Sequence, residues 1–127
     1  MMTKKKKVLL VDDNHDILDL LEVFLFAKFN IITAINGFEA LKKAHDLSPD
    51  IIITDIMMPV MDGIKFINSL RMDPKTASIP VVAVTSFIKK ANIKSLLSVG
   101  FAGVVAKPFE REAIISIIEN SLEPKTL

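Results

Sequence analysis

The most regular feature of this sequence is an alternation between short apolar runs and longer segments whose apolar residues recur with helical spacing. Runs of strand length are predicted near residues 7–11, 30–34, 50–54, 80–84 and 103–106. Helical segments lie between these runs and after the last one. The pattern therefore predicts five βα units in series, which is typical of an α/β fold.

The third and fourth runs are apolar without interruption at residues 51–53 and 81–84. A strand with one face in water alternates apolar and polar residues, whereas a strand covered on both faces does not. We therefore expect a parallel sheet with these strands at its centre and helices on both sides.

The first helix is apolar beyond a single stripe. Asp13 or Asn14 can cap it. Helical spacing predicts a core-facing set of Ile17, Leu20, Leu21 and Phe24. Three further apolar residues fall outside this set, namely Leu18, Val23 and Phe26. They are either scattered surface residues, which are common, or a face that binds a partner.

Composition narrows the class of protein. The 127 residues suit a single domain, and with 50% hydrophobic residues disorder is not expected. The mean hydropathy is +0.43. A formal net charge of +1 gives no sign of a nucleic-acid binder. The absence of cysteine excludes disulfides, thiolate catalysis and cysteine-bound zinc.

The two ends of the sequence look like extensions of this domain. Residues 1–6 form a basic leader without an aromatic residue, and residues 123–127 form a short tail beyond a last helix that ends near Leu122. No apolar run has the length of a membrane span, and no signal peptide is evident. We therefore expect one cytoplasmic domain over residues 1–127.

Polar residues with potential chemistry stand at the ends of four of the predicted strands. They are Asp12 and Asp13, Asp55, Thr85, and Lys107. Each alone is weak evidence, since an Asp pair after a strand is often a helix cap. Because the carboxyl ends of parallel strands share one edge, three carboxylates, a hydroxyl and an ammonium are expected to converge there. Such a group suits Mg²⁺ and a phosphoryl group.

These residues resemble the signature of a receiver domain of a two-component response regulator, in its stand-alone form. The resemblance rests on the acidic pair Asp12-Asp13, residues 55–63 (DIMMPVMDG), Thr85-Ser86, and Lys107 with the following Pro108-Phe109. It implies a doubly wound, flavodoxin-like sheet with strand order 2-1-3-4-5. It also implies a signalling switch and not an enzyme that turns over a substrate.

The resemblance further implies a role for each residue. Asp55 would accept a phosphoryl group from a phosphohistidine of a sensor histidine kinase or a histidine phosphotransfer protein. Asp13 and Asp55 would bind Mg²⁺ directly, Asp12 through water, and Met57 through its backbone carbonyl. Thr85 and Lys107 would contact the phosphoryl oxygens, and a cis peptide bond would precede Pro108.

The sequence departs from the family pattern at a residue that usually transmits the signal, and it has apolar residues at two positions that bear on how long the signal lasts. Val104 stands where the family usually has Tyr or Phe, whose ring moves on activation. Met57 and Phe87 stand at the two positions expected to flank the attacking water, and neither can orient it. We therefore predict slow self-dephosphorylation, which Met57→Asn combined with Phe87→Glu is expected to accelerate.

Several alternatives remain open at this stage. A magnesium-dependent phosphohydrolase would resemble Asp-x-Asp after the first strand and would carry a cap segment, whereas this chain has Asp12-Asp13-Asn14. A binding module of the same fold could signal without phosphorylation.

The output protein is unknown, and neither nucleic acid nor membrane is expected as a direct partner. The first helix with Phe109 is a candidate kinase-docking patch. Ile115 and Ile117 could support a weak homodimer, although burial within a monomer is favoured.

Overall fold

The computed structural model describes residues 4–86 and 90–123. Its strands and helices alternate along the whole described chain. The strands are β1 (Lys7–Val11), β2 (Asn30–Ala34), β3 (Ile51–Asp55), β4 (Val81–Thr85) and β5 (Gly103–Ala106). The helices are α1 (His15–Leu25), α2 (Gly37–Leu47), α3 (Gly63–Met72), α4 (Lys90–Val99) and α5 (Arg111–Leu122). Among the described residues, no helix has the length and apolar character needed to cross a bilayer.

All strands form one parallel sheet in the order β2-β1-β3-β4-β5, as predicted. The bounds of β3 and β4 differ from the prediction by one residue. Asp55 pairs with Val84 and Thr85 pairs with Ala106, so these two polar residues end their strands instead of following them. The apolar runs alone could not show this because ladder pairing extends beyond the last apolar side chain of each strand.

The sheet separates two apolar clusters, as expected for a sheet covered on both faces. Side chains from β1, β3 and β4 that point one way pack on α2, α3 and α4, with Phe66 fully buried among them. Those that point the other way pack on α1 and α5, with Leu25 and Ile114 fully buried. The central strands carry apolar residues at consecutive positions because each face contributes to a different cluster.

The predicted core stripe of α1 was partly wrong. The buried residues of α1 are Leu18, Leu21 and Leu25, whereas Leu20 is exposed. Ile17 and Phe24 are partly buried, and Val23 and Phe26 are exposed as predicted. Helical spacing could not choose among apolar residues that nearly surround the helix; packing against α5 selects the face that contains Leu18.

The predicted cap of the first helix is confirmed, and two other helix ends show common capping geometry. Asn14 caps α1, and its side chain accepts hydrogen bonds from the N–H groups of the first turn. Asp62 caps α3 in the same way. Gly100, at φ 122°, adopts the left-handed conformation expected after α4. In α5, Ile115 is buried within the monomer, which agrees with the favoured explanation of its wide apolar stripe.

Candidate functional site

The predicted site residues meet at the carboxyl edge of the sheet. Asp12 follows β1, Asp55 ends β3, Thr85 ends β4 and Lys107 follows β5. The backbone N–H of Lys107 donates to the carbonyl of Thr85 at 2.9 Å, which ties the segment after β5 to the end of β4. The structure therefore places these residues on neighbouring strands at one edge, as the sequence predicted.

The acidic residues form a compact cluster. One carboxylate oxygen from each of Asp12, Asp13 and Asp55 lies within 4.8 Å of the other two. Asp12 is 2% exposed and Asp55 is 8% exposed, while Asp13 is open to solvent. Two nearly buried carboxylates thus share the edge with one that a ligand can reach from water.

Lys107 supplies positive charge to this cluster. Its Nζ lies 3.0 Å from Oδ2 of Asp12 and 3.4 Å from Oδ2 of Asp55. The sequence predicted Lys107 as a partner for a phosphoryl group and did not predict its pairing with Asp12. The predicted convergence of Lys107 and the carboxylates at one edge did not specify which carboxylate the ammonium would contact.

Local backbone geometry fixes the acidic side chains. The N–H of Asn14 donates to Oδ1 of Asp12 at 2.9 Å, so the residue that caps α1 also holds this carboxylate. The N–H of Met57 donates to Oδ1 of Asp55 at 3.3 Å. The hydroxyl of the fully buried Thr54 donates to the backbone carbonyl of Asp55 at 2.9 Å, a contact that the sequence did not predict.

The loop between β3 and α3, residues 56–62, borders the acidic cluster. The N–H of Gly63 donates to the carbonyl of Ile56 at 2.9 Å and closes the loop. Met58 and Met61 point into the core, whereas the side chain of Met57 is 65% exposed. The exposure of Met57 agrees with a position beside the site. Phe87, the other residue predicted to flank the attacking water, lies outside the described residues.

Burial and neighbouring charge shift two pKa values in this site. Burial raises the pKa of Asp12, although hydrogen bonds from Asn14 and Lys107 act in the opposite direction. For Lys107, burial lowers the pKa, but the nearby carboxylates of Asp12 and Asp55 outweigh it and the net pKa is raised. Lys107 is therefore held as a cation, while the fold disfavours the charge of Asp12.

The donor set fits a hard divalent cation. Carboxylate oxygens are the ligands that Mg²⁺ prefers, and Mg²⁺ usually retains several waters and takes one or two protein carboxylates. The solvent-facing Asp13 and the nearby Asp55 meet that requirement. The carbonyl of Met57 as a further ligand stays a prediction.

The expected aromatic position on β5 is occupied by a small side chain in a packed environment. Val104 is partly buried and packs against the cluster formed with α2, α3 and α4. The peptide bond between Lys107 and Pro108 is cis, as predicted. Phe109 contacts Phe24 of α1 edge to face, with ring centroids 6.3 Å apart and planes at 76°.

The fold and its acidic edge define a class of protein: a doubly wound α/β domain with a cluster of carboxylates and a lysine at the carboxyl ends of its strands. The family model described as "Response regulator receiver domain" matches residues 8–119. The chain belongs to the response regulator receiver domain family of two-component signalling systems.

Similar curated proteins differ widely in length. The chemotaxis protein CheY of Halobacterium salinarum is 31% identical over 118 residues, which are 92% of this chain and 97% of that protein. Hybrid signal transduction histidine kinase D of Dictyostelium discoideum is 31% identical over 121 residues, 95% of this chain but 8% of that protein. A probable transcriptional regulator, ycf29 of Porphyra purpurea, is 40% identical over 93 residues, 72% of this chain and 44% of that protein.

Solved structures share the fold closely. The chemotaxis protein CheY4 of Vibrio cholerae superposes with a TM-score of 0.88 at 32% identity, covering 94% of this chain and all of that one, 100%. A response regulator from Desulfuromonas acetoxidans gives a TM-score of 0.85 at 33% identity, covering 92% and 96% of the two chains.

Proposed function

We propose that Asp55 accepts a phosphoryl group from a phosphohistidine of a sensor histidine kinase or a histidine phosphotransfer protein. The observation that carries this proposal is the placement of Asp55 between two further carboxylates and the ammonium of Lys107. In the transfer, a bond forms between a carboxylate oxygen of Asp55 and phosphorus, and the bond between phosphorus and the imidazole nitrogen breaks. The protein catalyses this self-modification and its hydrolysis without turning over a separate substrate.

The residues of the site divide the work of positioning. The N–H of Met57 and the ammonium of Lys107 contact different oxygens of Asp55 and orient its carboxylate. Asp13 and Asp55, with Asp12 through water and Met57 through its carbonyl, would hold Mg²⁺. When bound, Mg²⁺ neutralises the charge that gathers on carboxylate and phosphoryl oxygens. A receiver domain of Pseudomonas aeruginosa sensor kinase PA1611 has been solved with a magnesium ion coordinated in its active-site cleft, which supports this assignment.

Phosphorylation would act by shifting a population of conformations. Thr85 and Lys107 would each contact a phosphoryl oxygen, so Lys107 would exchange part of its contact with Asp12 for the new group. A shift from 1:99 to 99:1 needs about 5.5 kcal/mol of differential interaction, which a few charge-assisted hydrogen bonds can supply. Because Val104 has no ring to move, the change would reach the surface through packing around the end of β4.

The exposed apolar face of α1 is the proposed docking patch for the phosphodonor. Leu20 and Val23 on this helix are exposed, as is Phe26, the residue that follows its last turn. The contact between Phe24 and Phe109 joins α1 to the segment that follows Lys107. The output partner would bind according to phosphorylation state, with the receiver acting as a monomer or a weak homodimer.

Phosphodonor labelling tests the assignment of Asp55. The protein is incubated with Mg²⁺ and acetyl phosphate, and intact-mass spectrometry is expected to show one added phosphoryl group. Asp55→Asn is expected to abolish the mass gain because the nucleophilic oxygen is lost. Asp50→Asn removes a carboxylate at the opposite edge, where Asp50 accepts a hydrogen bond from the N–H of Lys7, and is the matched control.

The outcomes separate this function from the alternative binding module. A mass gain that persists in Asp55→Asn would contradict the assignment of the acceptor. No gain in the unsubstituted protein, from acetyl phosphate or from a phosphorylated histidine kinase, would instead favour a module that binds partners without phosphorylation.

A further inference from the structure

The amino-terminal residue of α2 lies directly against the loop beside the acidic cluster. Gly37 begins α2, and a methyl group placed on it would lie 2.7 Å from Sδ of Met61 and 2.9 Å from its Cβ and Cγ. The Sδ atom could move by side-chain rotation. The Cβ atom cannot, because it is bonded directly to the backbone of the loop. Gly37 therefore permits a close approach of α2 to residues 56–62 that any larger residue would prevent.

The same loop is also held tightly where it joins β3 and α3. A methyl group on Gly63 would lie 2.9 Å from Cα of Ile56 and 3.1 Å from the carbonyl oxygen of Asp55. This contact fixes the two ends of the loop to each other. Met61, buried against Gly37, fixes its side towards α2. Met57 lies in the sequence between Ile56 and Met61, the residues held by these two contacts, and its N–H donates to Asp55.

We propose that Gly37 is a positioning residue for the magnesium site. The proposal rests on the function proposed above, in which the carbonyl of Met57 and the carboxylate of Asp55 are ligands. The contact between Gly37 and Met61 sets the position of residues 56–62 and hence of the Met57 carbonyl. Gly37 contacts neither the metal nor the phosphoryl group and acts entirely through Met61.

Magnesium calorimetry tests this role without any measurement of phosphorylation. Gly37→Ala is expected to push the Cβ of Met61 and displace the loop. The Kd for Mg²⁺ should then rise about 10-fold, the lower end of the effect that is typical when a residue that supports a metal ligand is replaced. The titration uses MgCl₂ and metal-free protein, and circular dichroism gives the Tm of each variant.

Gly103→Ala is the matched control. A methyl group on Gly103 would lie 2.5 Å from Cδ1 and 3.0 Å from Cγ1 of Ile117, so this substitution also creates a close contact. Gly103 pairs with Val82 at the end of β5 that is remote from the acidic edge. We expect a lower Tm with an unchanged Kd for Mg²⁺, because the atoms in conflict belong to the outer part of a side chain and not to the metal-binding loop.

Met61→Ala approaches the same contact from the loop and serves if Gly37→Ala does not fold. It removes Sδ and Cγ from the contact with Gly37 and is expected to weaken magnesium binding in the same direction, by less. An unchanged Kd in the folded Gly37→Ala and Met61→Ala variants overturns the proposal while leaving the metal site intact. Equal weakening by Gly103→Ala also overturns it. Absence of magnesium binding by the unsubstituted protein overturns the metal site itself, and this proposal with it.

Discussion

The two ends of the sheet use charged residues in opposite ways. At the amino end, Lys7 donates its N–H to Asp50 and its Nζ to the carbonyl of Leu47, each at 2.8 Å. Arg71 likewise donates to the carbonyl of Ile79 at 2.8 Å. These contacts hold strands and helices in place and satisfy the groups involved. At the carboxyl end, carboxylates face one another across a few ångströms.

The difference is that the carboxyl end of the sheet brings together more carboxylates than cations. In the described part of the chain, Lys107 is the cation in ion-pair contact with the acidic cluster, against Asp12 and Asp55. An edge with more carboxylates than cations gains from binding a divalent ion, whereas an edge with matched partners does not. Lys107→Met and Met57→Asn at the carboxyl end are each compared with a substitution at the amino end, and the stability measurements use metal-free protein.

Removing the ammonium of Lys107 is expected to have the largest effect on stability. Lys107→Met leaves two nearly buried carboxylates without their cation, which should lower the free energy of unfolding by roughly 2 kcal/mol after allowance for partial exposure. Lys7→Met at the amino end should change it by less than about 0.5 kcal/mol, because its ammonium is exposed. Urea denaturation measures both, and equal losses would contradict the contrast between the two ends.

Neutralising Asp12 is expected to stabilise the fold. Because the pKa of Asp12 is raised, its contribution to stability is present below the unfolded value of 3.8 and is lost as pH rises through the folded pKa. At pH 7 the ionised form therefore weakens the fold, and Asp12→Asn should raise the free energy of unfolding. Urea denaturation at pH 7 checks the sign. A lower stability would show that the ion pair with Lys107 outweighs burial.

A polar side chain at Met57 is expected to shorten the phosphoryl lifetime. Met57→Asn can hydrogen-bond the attacking water, and we expect hydrolysis to accelerate roughly threefold, less than 1 kcal/mol in the barrier. Decay of the phosphorylated protein in Mg²⁺, followed by intact mass, gives the rate. Met72→Asn, at an exposed methionine near the amino end, should leave the rate unchanged. The same lifetime in both variants would show that Met57 only packs.

The smallest expected effect lies at the amino end and has the opposite dependence on pH. The hydrogen bond from His45, at 2.6 Å, lowers the pKa of the partly exposed Asp73. Its contribution to stability is therefore present above 3.8 and is lost as pH falls through the folded pKa. Asp73→Asn should remove a small part of the loss of stability in acid, measured as Tm between neutral pH and pH 3. A variant with an unaltered acid profile would exclude this contribution.

The sequence predicted which polar residues lie at the carboxyl edge better than it predicted how the helices pack. Asp55 and Thr85 could be placed at one edge because apolar runs mark buried strands, and the resemblance to receiver domains supplied the strand order. The buried face of α1 could not be predicted, since Leu18 and Leu20 are chemically equivalent and only the position of α5 distinguishes them. The contact between Gly37 and Met61 was also missed, because a glycine at a helix start gives no sign of what lies beside it.

The contacts of Lys107 with Asp12 and Asp55 are largely shielded from solvent, and this determines how they respond to salt. Mobile ions screen exposed charges over a Debye length of about 8 Å at physiological ionic strength, but they screen buried pairs much less. The side chains of Lys107 and Asp12 are 17% and 3% exposed. The resting arrangement of these charges should therefore persist from dilute to concentrated salt, so that a change in ionic strength alone does not imitate the arrival of a phosphoryl group.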